Sequence, residues 1–140
     1  MLPGKHVLIL LVALGTVSCS HSHDVSRSEV SSYFHSGISL SAEVELFIGQ
    51  MLTNRATAAF AKGHVVYLRT QAMHLSKELQ KTHPEESMAP QLETCQIQMA
   101  ALISLLTQLE GQITDGRELS GARQQAASIK SILEQTEATL

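Results

Sequence analysis

The sequence contains no tryptophan and few other aromatic residues. Its 140 residues include three Phe and two Tyr, and only 16% are charged. Ala, Leu, Gln, Ser and Glu are the most prominent residue types, which is typical of a helical protein with a core of small side chains. The formal net charge is −3, and no cluster of basic residues is interleaved with aromatic ones. This argues against a nucleic-acid partner.

Patterns that would support a catalytic or cofactor site are also missing. The chain has no Glu-x-x-His, no Cys-x-x-Cys and no glycine-rich phosphate loop. Two His residues, His21 and His23, precede Asp24, and imidazoles suit late transition metals. They lie in a Ser-rich stretch, which favours a polar tether over a metal site. We therefore predict no enzymatic activity and no cofactor.

The N-terminal 19 residues have the features of an export signal. Lys5 precedes an unbroken apolar run over residues 7–14, and small residues then lead to Cys19. The apolar run is too short to span a bilayer, which takes about 20 apolar residues. Residues 1–18 are therefore predicted to be a signal peptide that does not belong to the folded domain.

Residues 16–19 resemble the lipobox of bacterial lipoproteins. The resemblance implies that Cys19 becomes the first residue and carries lipid, palmitate included, so that the protein is anchored to a membrane of the cell envelope. Ser20 stands where an Asp would favour retention in the inner membrane, so the resemblance favours the outer membrane, facing the periplasm. Cleavage by an ordinary signal peptidase is the alternative.

Residues 19–39 are rich in Ser and are interpreted as a tether. Within them, Ser26 and Glu29 have the spacing of a capping box, and Val25 with Val30 fits a hydrophobic staple. These signals predict a short helix over residues 27–36 that ends at Gly37. The helical domain proper is placed at residues 40–140.

From residue 40 onward, apolar residues recur with helical and heptad spacing. The first run consists of Val44, Met51, Ala58, Val65, Ala72 and Leu79, together with Leu40, Phe47, Asn54, Ala61, Leu68 and Leu75. The second consists of Leu92, Cys95, Met99, Leu102, Leu106, Leu109 and Ile113. The third consists of Leu119, Ala122, Ala126, Ile129, Leu133, Thr136 and Leu140. These positions predict an all-α domain with one buried face per helix.

The lengths of the runs bear on the topology. The last two helices would be about 38 Å long, whereas an unbroken first helix over residues 41–81 would exceed about 60 Å. A break at residues 53–55, where Thr53 or Asn54 would cap a new helix, or at residues 62–64, gives four helices. We favour an up-and-down four-helix bundle. The uninterrupted heptad leaves open a long helix that dimerises.

Residues 42–80 resemble part of a bacterial family of exported helical proteins of unknown function with a ferritin-like bundle. The shared features are residues 42–46, 53–55 and 59–61, followed by Leu75. The resemblance implies two helices with a turn near Asn54. Tyr67 and Leu68 stand where the family pattern has an Asp-His pair, so no metal function is transferred.

A few titratable residues fall on or beside the predicted core faces of the helices. Glu43 and His64 fall just beside the predicted core face, and His74 falls on the outer face with Glu78 one turn later. The spacing of the latter two predicts an ordinary surface contact. Cys95 lies between core positions, so we predict a buried, unreactive thiol.

Together these features predict an exported, lipid-anchored helical bundle of the bacterial cell envelope with a non-enzymatic interaction or structural role. Its partners would be the membrane and either an unidentified envelope protein or a second copy of the chain. The alternative is a ferritin-like bundle that binds a small ligand or a metal. The sequence does not name the partner.

Overall fold

The computed structural model describes residues 25–112 and 116–140. They form four α-helices of similar length: α1 (Arg27–Leu52), α2 (Ala58–Lys81), α3 (Ala89–Gln112) and α4 (Gly116–Glu137), with a short 3-10 helix (Glu86–Met88) before α3. Short connections between helices of this length produce an up-and-down four-helix bundle. The predicted all-α class and four-helix count are confirmed. The predictions for residues 1–24 and for Ile113 lie outside the described residues.

Helix α1 begins at the predicted capping box. The Ser26 backbone N–H donates to Glu29 Oε2 at 2.8 Å, and the Glu29 backbone N–H donates to Ser26 Oγ at 3.3 Å. These two bonds satisfy backbone donors that the first helical turn leaves without partners. Val25 packs partly buried against the core, and Val30 is fully buried, as the staple predicts.

The predicted helix end at Gly37 is wrong, because α1 continues through this residue to Leu52. Gly37 is buried where α1 meets α3 and α4, and a Cβ built there would lie 3.2 Å from Met99 Cε and 3.2 Å from Leu133 Cδ1. The glycine therefore permits close packing of helices and does not terminate one. Residues 27–39 consequently belong to the bundle, which begins well before the predicted boundary at residue 40.

The predicted break after the first helix is confirmed, but its caps differ from the prediction. Thr53 ends α1, Asn54 adopts the left-handed conformation with φ 55°, and Thr57 caps α2 by accepting a hydrogen bond from the Phe60 N–H at 3.3 Å. Asn tolerates this conformation better than most residues, which explains its place in the turn. Helix α2 passes through Gly63 without interruption.

The core lies between all four helices and is built largely from the predicted positions. α1 packs mainly on α4, α2 mainly on α3, and α3 on α4, whereas α1 and α2 touch less. The largest fully buried side chains include Phe34, Ile48, Leu68, Leu79, Met99, Leu102, Leu106 and Leu133. Of the predicted core positions, Asn54 and Ala58 are exposed because they flank the turn.

The N-terminal end of the described chain is fixed against the connection between α2 and α3. The Val25 N–H donates to the His83 carbonyl at 3.3 Å, and Val25 forms an isolated β-bridge with Pro84. At the same end, Glu137 of α4 accepts a hydrogen bond from Ser31 at 2.7 Å and lies 3.2 Å from His35. The chain therefore enters the bundle at the end that holds this connection.

Candidate functional site

An open groove runs between α1 and α2, the two neighbouring helices that touch least. Its volume is about 310 Å³. The lining residues are Ser36, Ser39, Leu40, Glu43, Tyr67, Gln71, His74 and Leu75. We call this the α1–α2 groove. It presents the ring of Tyr67 among mainly polar side chains. Polar side chains in a groove fix the orientation of a bound ligand or partner segment.

A row of rings in contact with one another continues the groove toward the turn between the two helices. The His64 ring lies 4.5 Å from Phe47, 5.5 Å from Phe60 and 5.8 Å from Tyr67, measured between ring centroids. Phe47 and Phe60 meet edge to face at 6.2 Å. We call these four residues the aromatic row. Such contacts fix ring orientations and add to the burial of apolar surface.

The outer members of the aromatic row are open to solvent. Phe60 is 56% exposed and Tyr67 52% exposed, whereas Phe47 is only 3% exposed. Phe47 thus anchors the row in the core, and the two exposed rings form its outer surface. Large aromatic side chains that stay exposed in an ordered row are typical of surfaces that bind a partner.

A carboxylate borders the aromatic row on one side. Glu43 Oε1 lies 3.4 Å from His64 Nε2, so a carboxylate of α1 contacts an imidazole of α2 across the groove. A partly exposed contact of this kind contributes at most about 1 kcal/mol. Its main effect here is to orient the His64 ring within the row.

Glu78 interacts mainly with Lys81 and not with His74, the partner that the sequence predicts. Its carboxylate accepts a hydrogen bond from Lys81 Nζ at 2.9 Å. That bond and the charge of Lys81 lower the pKa of Glu78, and His74 contributes a smaller part of the same effect through its charge. His74 is exposed and lines the α1–α2 groove.

Cys95 is fully buried, as predicted, and carries a free thiol. Burial raises the pKa of this thiol to about 12. Because the thiolate is the reactive species, a thiol with this pKa is a poor nucleophile at neutral pH. Cys95 is therefore part of the packing between the helices.

No group of three His, Cys, Asp or Glu side chains is placed to hold a metal ion in the part of the chain that the structure describes. Glu43 and His64 come together only as a pair. His21 and His23, the weak metal candidates, and Cys19, the predicted lipidation site, lie outside the described residues. None of the described helices is long and apolar enough to cross a membrane.

No model of a known protein family matches this chain. Neither a curated protein nor a solved structure is significantly similar to it.

The sequence places Glu43 and His64 correctly beside the core, but it does not identify the aromatic row. Phe60 and Tyr67 fall outside the heptad positions, which predicts exposure for both. Their spacing with His64, at positions 60, 64 and 67, predicts a common face on one helix. This face borders an open groove because α1 packs weakly on α2. No local pattern in the sequence predicts this weak packing.

Proposed function

We propose that this chain is an exported, lipid-anchored protein of the bacterial cell envelope, and that its helical bundle has a non-enzymatic interaction role. The observation that carries the interaction role is the α1–α2 groove with its exposed aromatic row. The N-terminal signal and Cys19 carry the proposed location. The partner is an envelope protein or a second copy of the chain.

The position of Val25 supports an anchored arrangement. Six peptide steps separate Cys19 from Val25, and they span at most about 20 Å. The Val25 N–H donates a hydrogen bond to the His83 carbonyl, which lies in the connection between α2 and α3. A lipid on Cys19 would therefore hold this end of the bundle close to the bilayer. The α1–α2 turn, about 36 Å further along the helices, would then point away from the membrane.

The arrangement of groups supports the α1–α2 groove as the interaction surface. Phe60 and Tyr67 offer apolar rings, and Gln71 and His74 offer polar groups on the same side of α2. A partner helix that lies along such a groove contacts residues three, four and seven apart, which matches the spacing of these four side chains. No acid–base or nucleophilic pair is required for this role.

The anchor is tested by Cys19→Ser in cells grown with labelled palmitate. We expect the wild-type protein to carry label and to fractionate with membranes. The variant should lose the label and appear in the soluble envelope fraction. An unlabelled wild-type protein, or a variant that is processed at the same bond and stays in the membrane fraction, would contradict the anchor.

The interaction surface is tested separately with Phe60→Ser and Tyr67→Ser. Ile97→Ser is the matched control, because Ile97 is 56% exposed on α3 and lies outside the groove. On native gels of mildly solubilised membranes, we expect the wild-type and Ile97→Ser proteins to migrate in a larger complex and the two aromatic-row variants to leave it. Equal migration of all four proteins would contradict the proposed surface.

A further inference from the structure

A second groove lies near the turn between α1 and α2, on the side of α1 that faces α4. Its volume is about 270 Å³. Its lining residues are Leu46, Gly49, Gln50, Thr53, Arg55 and Arg123. We call it the arginine groove. It is separate from the α1–α2 groove, with which it shares no lining residue.

Among the residues that the structure describes, Arg55 and Arg123 are the only ionisable ones that line the arginine groove. This described lining therefore carries two positive charges and no negative one. Neither guanidinium has an ion pair or hydrogen bond with any of the residues in 25–112 and 116–140. By contrast, Arg69 is paired with Glu110 between α2 and α3. Two unpaired like charges beside one groove produce a positive potential that favours an anion.

The position of Arg123 depends on a glycine. A Cβ built on Gly49 would lie 3.6 Å from the central guanidinium carbon of Arg123 and 3.7 Å from its Nε. The planar guanidinium therefore rests against the backbone of α1. In this position the N–H donors of the Arg123 guanidinium lie at the groove. A guanidinium can donate to two oxygens of one carboxylate or phosphate at the same time.

A structural role for the two arginines, stabilising the end of α1, is less well supported. Three carbonyls of the last turn already have partners: Gly49 accepts from the Thr53 N–H at 3.2 Å and Thr53 Oγ1 at 3.1 Å, Gln50 accepts from the Arg55 N–H at 2.9 Å, and Met51 accepts from the Asn54 N–H at 3.1 Å. These three carbonyls therefore do not need the guanidiniums as hydrogen-bond donors. Their donors remain available to a ligand.

We propose that the arginine groove binds a phosphate monoester group, held between the guanidiniums of Arg55 and Arg123. A phosphate monoester carries a charge of about −1.5 to −2 at pH 7, which matches two guanidiniums better than a single carboxylate does. Leu46, which is 65% exposed at the edge of the groove, offers apolar contact to the organic part of the ester. The Gln50 amide adds a neutral donor. This proposal does not depend on the membrane anchor.

The test is a titration of the soluble domain, residues 25–140, followed by the ¹⁵N–¹H signals of the arginine Nε groups. Circular dichroism first establishes that this fragment folds; if it does not, the full chain in detergent is used. The probes are inorganic phosphate and acetate at constant ionic strength. We expect saturable shifts of the Arg55 and Arg123 signals with phosphate and weaker shifts with acetate.

Three substitutions and one control make the result specific. Arg55→Gln and Arg123→Gln should each weaken phosphate binding by at least about tenfold, since each removes a charge-assisted donor pair. Arg123→Lys should give an intermediate loss because it keeps the charge and loses the fork. Arg27→Gln, at the opposite end of α1, should bind phosphate as the wild type does. Absent saturation, or equal binding by all variants, would overturn the proposal.

Gln50→Glu provides an independent check that does not remove either arginine. It places a carboxylate of nearly the same shape in the groove, where it should pair with the guanidiniums and abolish phosphate binding. Gln80→Glu, an exposed change near the other end of α2, is its control. Unchanged phosphate binding by Gln50→Glu would overturn the assignment.

Vesicles identify the source of the phosphate group. Flotation is measured with phosphatidylcholine vesicles with and without phosphatidic acid, which carries a phosphate monoester. Flotation that requires phosphatidic acid and is lost in Arg123→Gln assigns the group to a lipid headgroup. Binding of inorganic phosphate without flotation assigns it to a soluble phosphorylated ligand.

Discussion

Replacing Gly37 with valine should destabilise the bundle, although valine has the better helix propensity of the two. Gly37 is buried in the middle of α1, and the site that its Cβ would occupy lies 3.2 Å from both Met99 Cε and Leu133 Cδ1. Each of these two distances is shorter than an ordinary van der Waals contact, even for a single added carbon. Valine adds two further methyl groups to this crowded site, where α1 meets α3 and α4.

The magnitude follows from two opposing effects. Removing glycine from a helix interior gains at most about 1 kcal/mol, whereas overpacking a well-packed core costs typically about 1–3 kcal/mol. For Gly37→Ala, the ends of two flexible side chains need to move only a few tenths of an ångström, so the effects nearly cancel. For Gly37→Val, overpacking dominates, and we expect a net loss of about 1–2 kcal/mol in the free energy of unfolding.

Urea denaturation followed by circular dichroism measures this difference, with Gly63→Ala as the matched control. Gly63 lies in the interior of α2, and a Cβ there would meet nothing within 4 Å. This change should therefore stabilise the protein by about 0.5–1 kcal/mol. If Gly37→Val were as stable as the wild type, Gly37 would not lie at a close contact between helices, and the account of α1 would be wrong.

Four further predictions concern the thiol and the helix ends. Cys95 should label slowly with a thiol reagent in the native protein and rapidly after denaturation; rapid native labelling would place it on the surface. Burial raises the pKa of the Cys95 thiol from 9.0 to about 12, so the thiol of the unfolded chain loses its proton first as the pH rises. The free energy of unfolding should therefore fall between about pH 9 and pH 12, by about 1.4 kcal/mol per pH unit. Denaturation at pH 8 and pH 10 should show a difference of about 1.4 kcal/mol in the wild type, because the loss begins only near pH 9, and no such difference in Cys95→Ala. Asn54→Ala should cost about 1 kcal/mol in urea denaturation because φ is 55°, whereas Asn54→Gly should cost nothing; equal losses would exclude strain as the cause. Ser26→Ala should cost about 1 kcal/mol by loss of the capping box, and an unchanged midpoint would show that the first turn frays in the native protein.

Much of the fold was predictable because its signals are local. The spacing of apolar residues identified the buried faces of α2, α3 and α4, and Ser26 with Glu29 marked the start of α1. The turn after Leu52 was indicated by polar residues within a regular apolar pattern. These features depend on side-chain periodicity and on caps, which act within a few residues along the chain.

The errors concern residues whose role is set by distant parts of the chain. Gly37 has the local character of a helix end, yet it stays inside α1 because Met99 and Leu133 leave little room for a side chain there. The same limit applies to the candidate site. Phe60 and Tyr67 fall outside the heptad positions, but the groove beside them arises from how α1 and α2 pack against the other two helices.

Site-specific photocrosslinking in intact cells tests the central claim most directly. A photoreactive amino acid is placed at Tyr67, in the aromatic row, and in a second strain at Ile97, which is similarly exposed on α3. We expect the Tyr67 position to crosslink to one defined envelope protein or to a second copy of this chain, and the Ile97 position to give no such product. The absence of a crosslink at position 67, or the same product from both positions, would contradict the α1–α2 groove as the interaction surface.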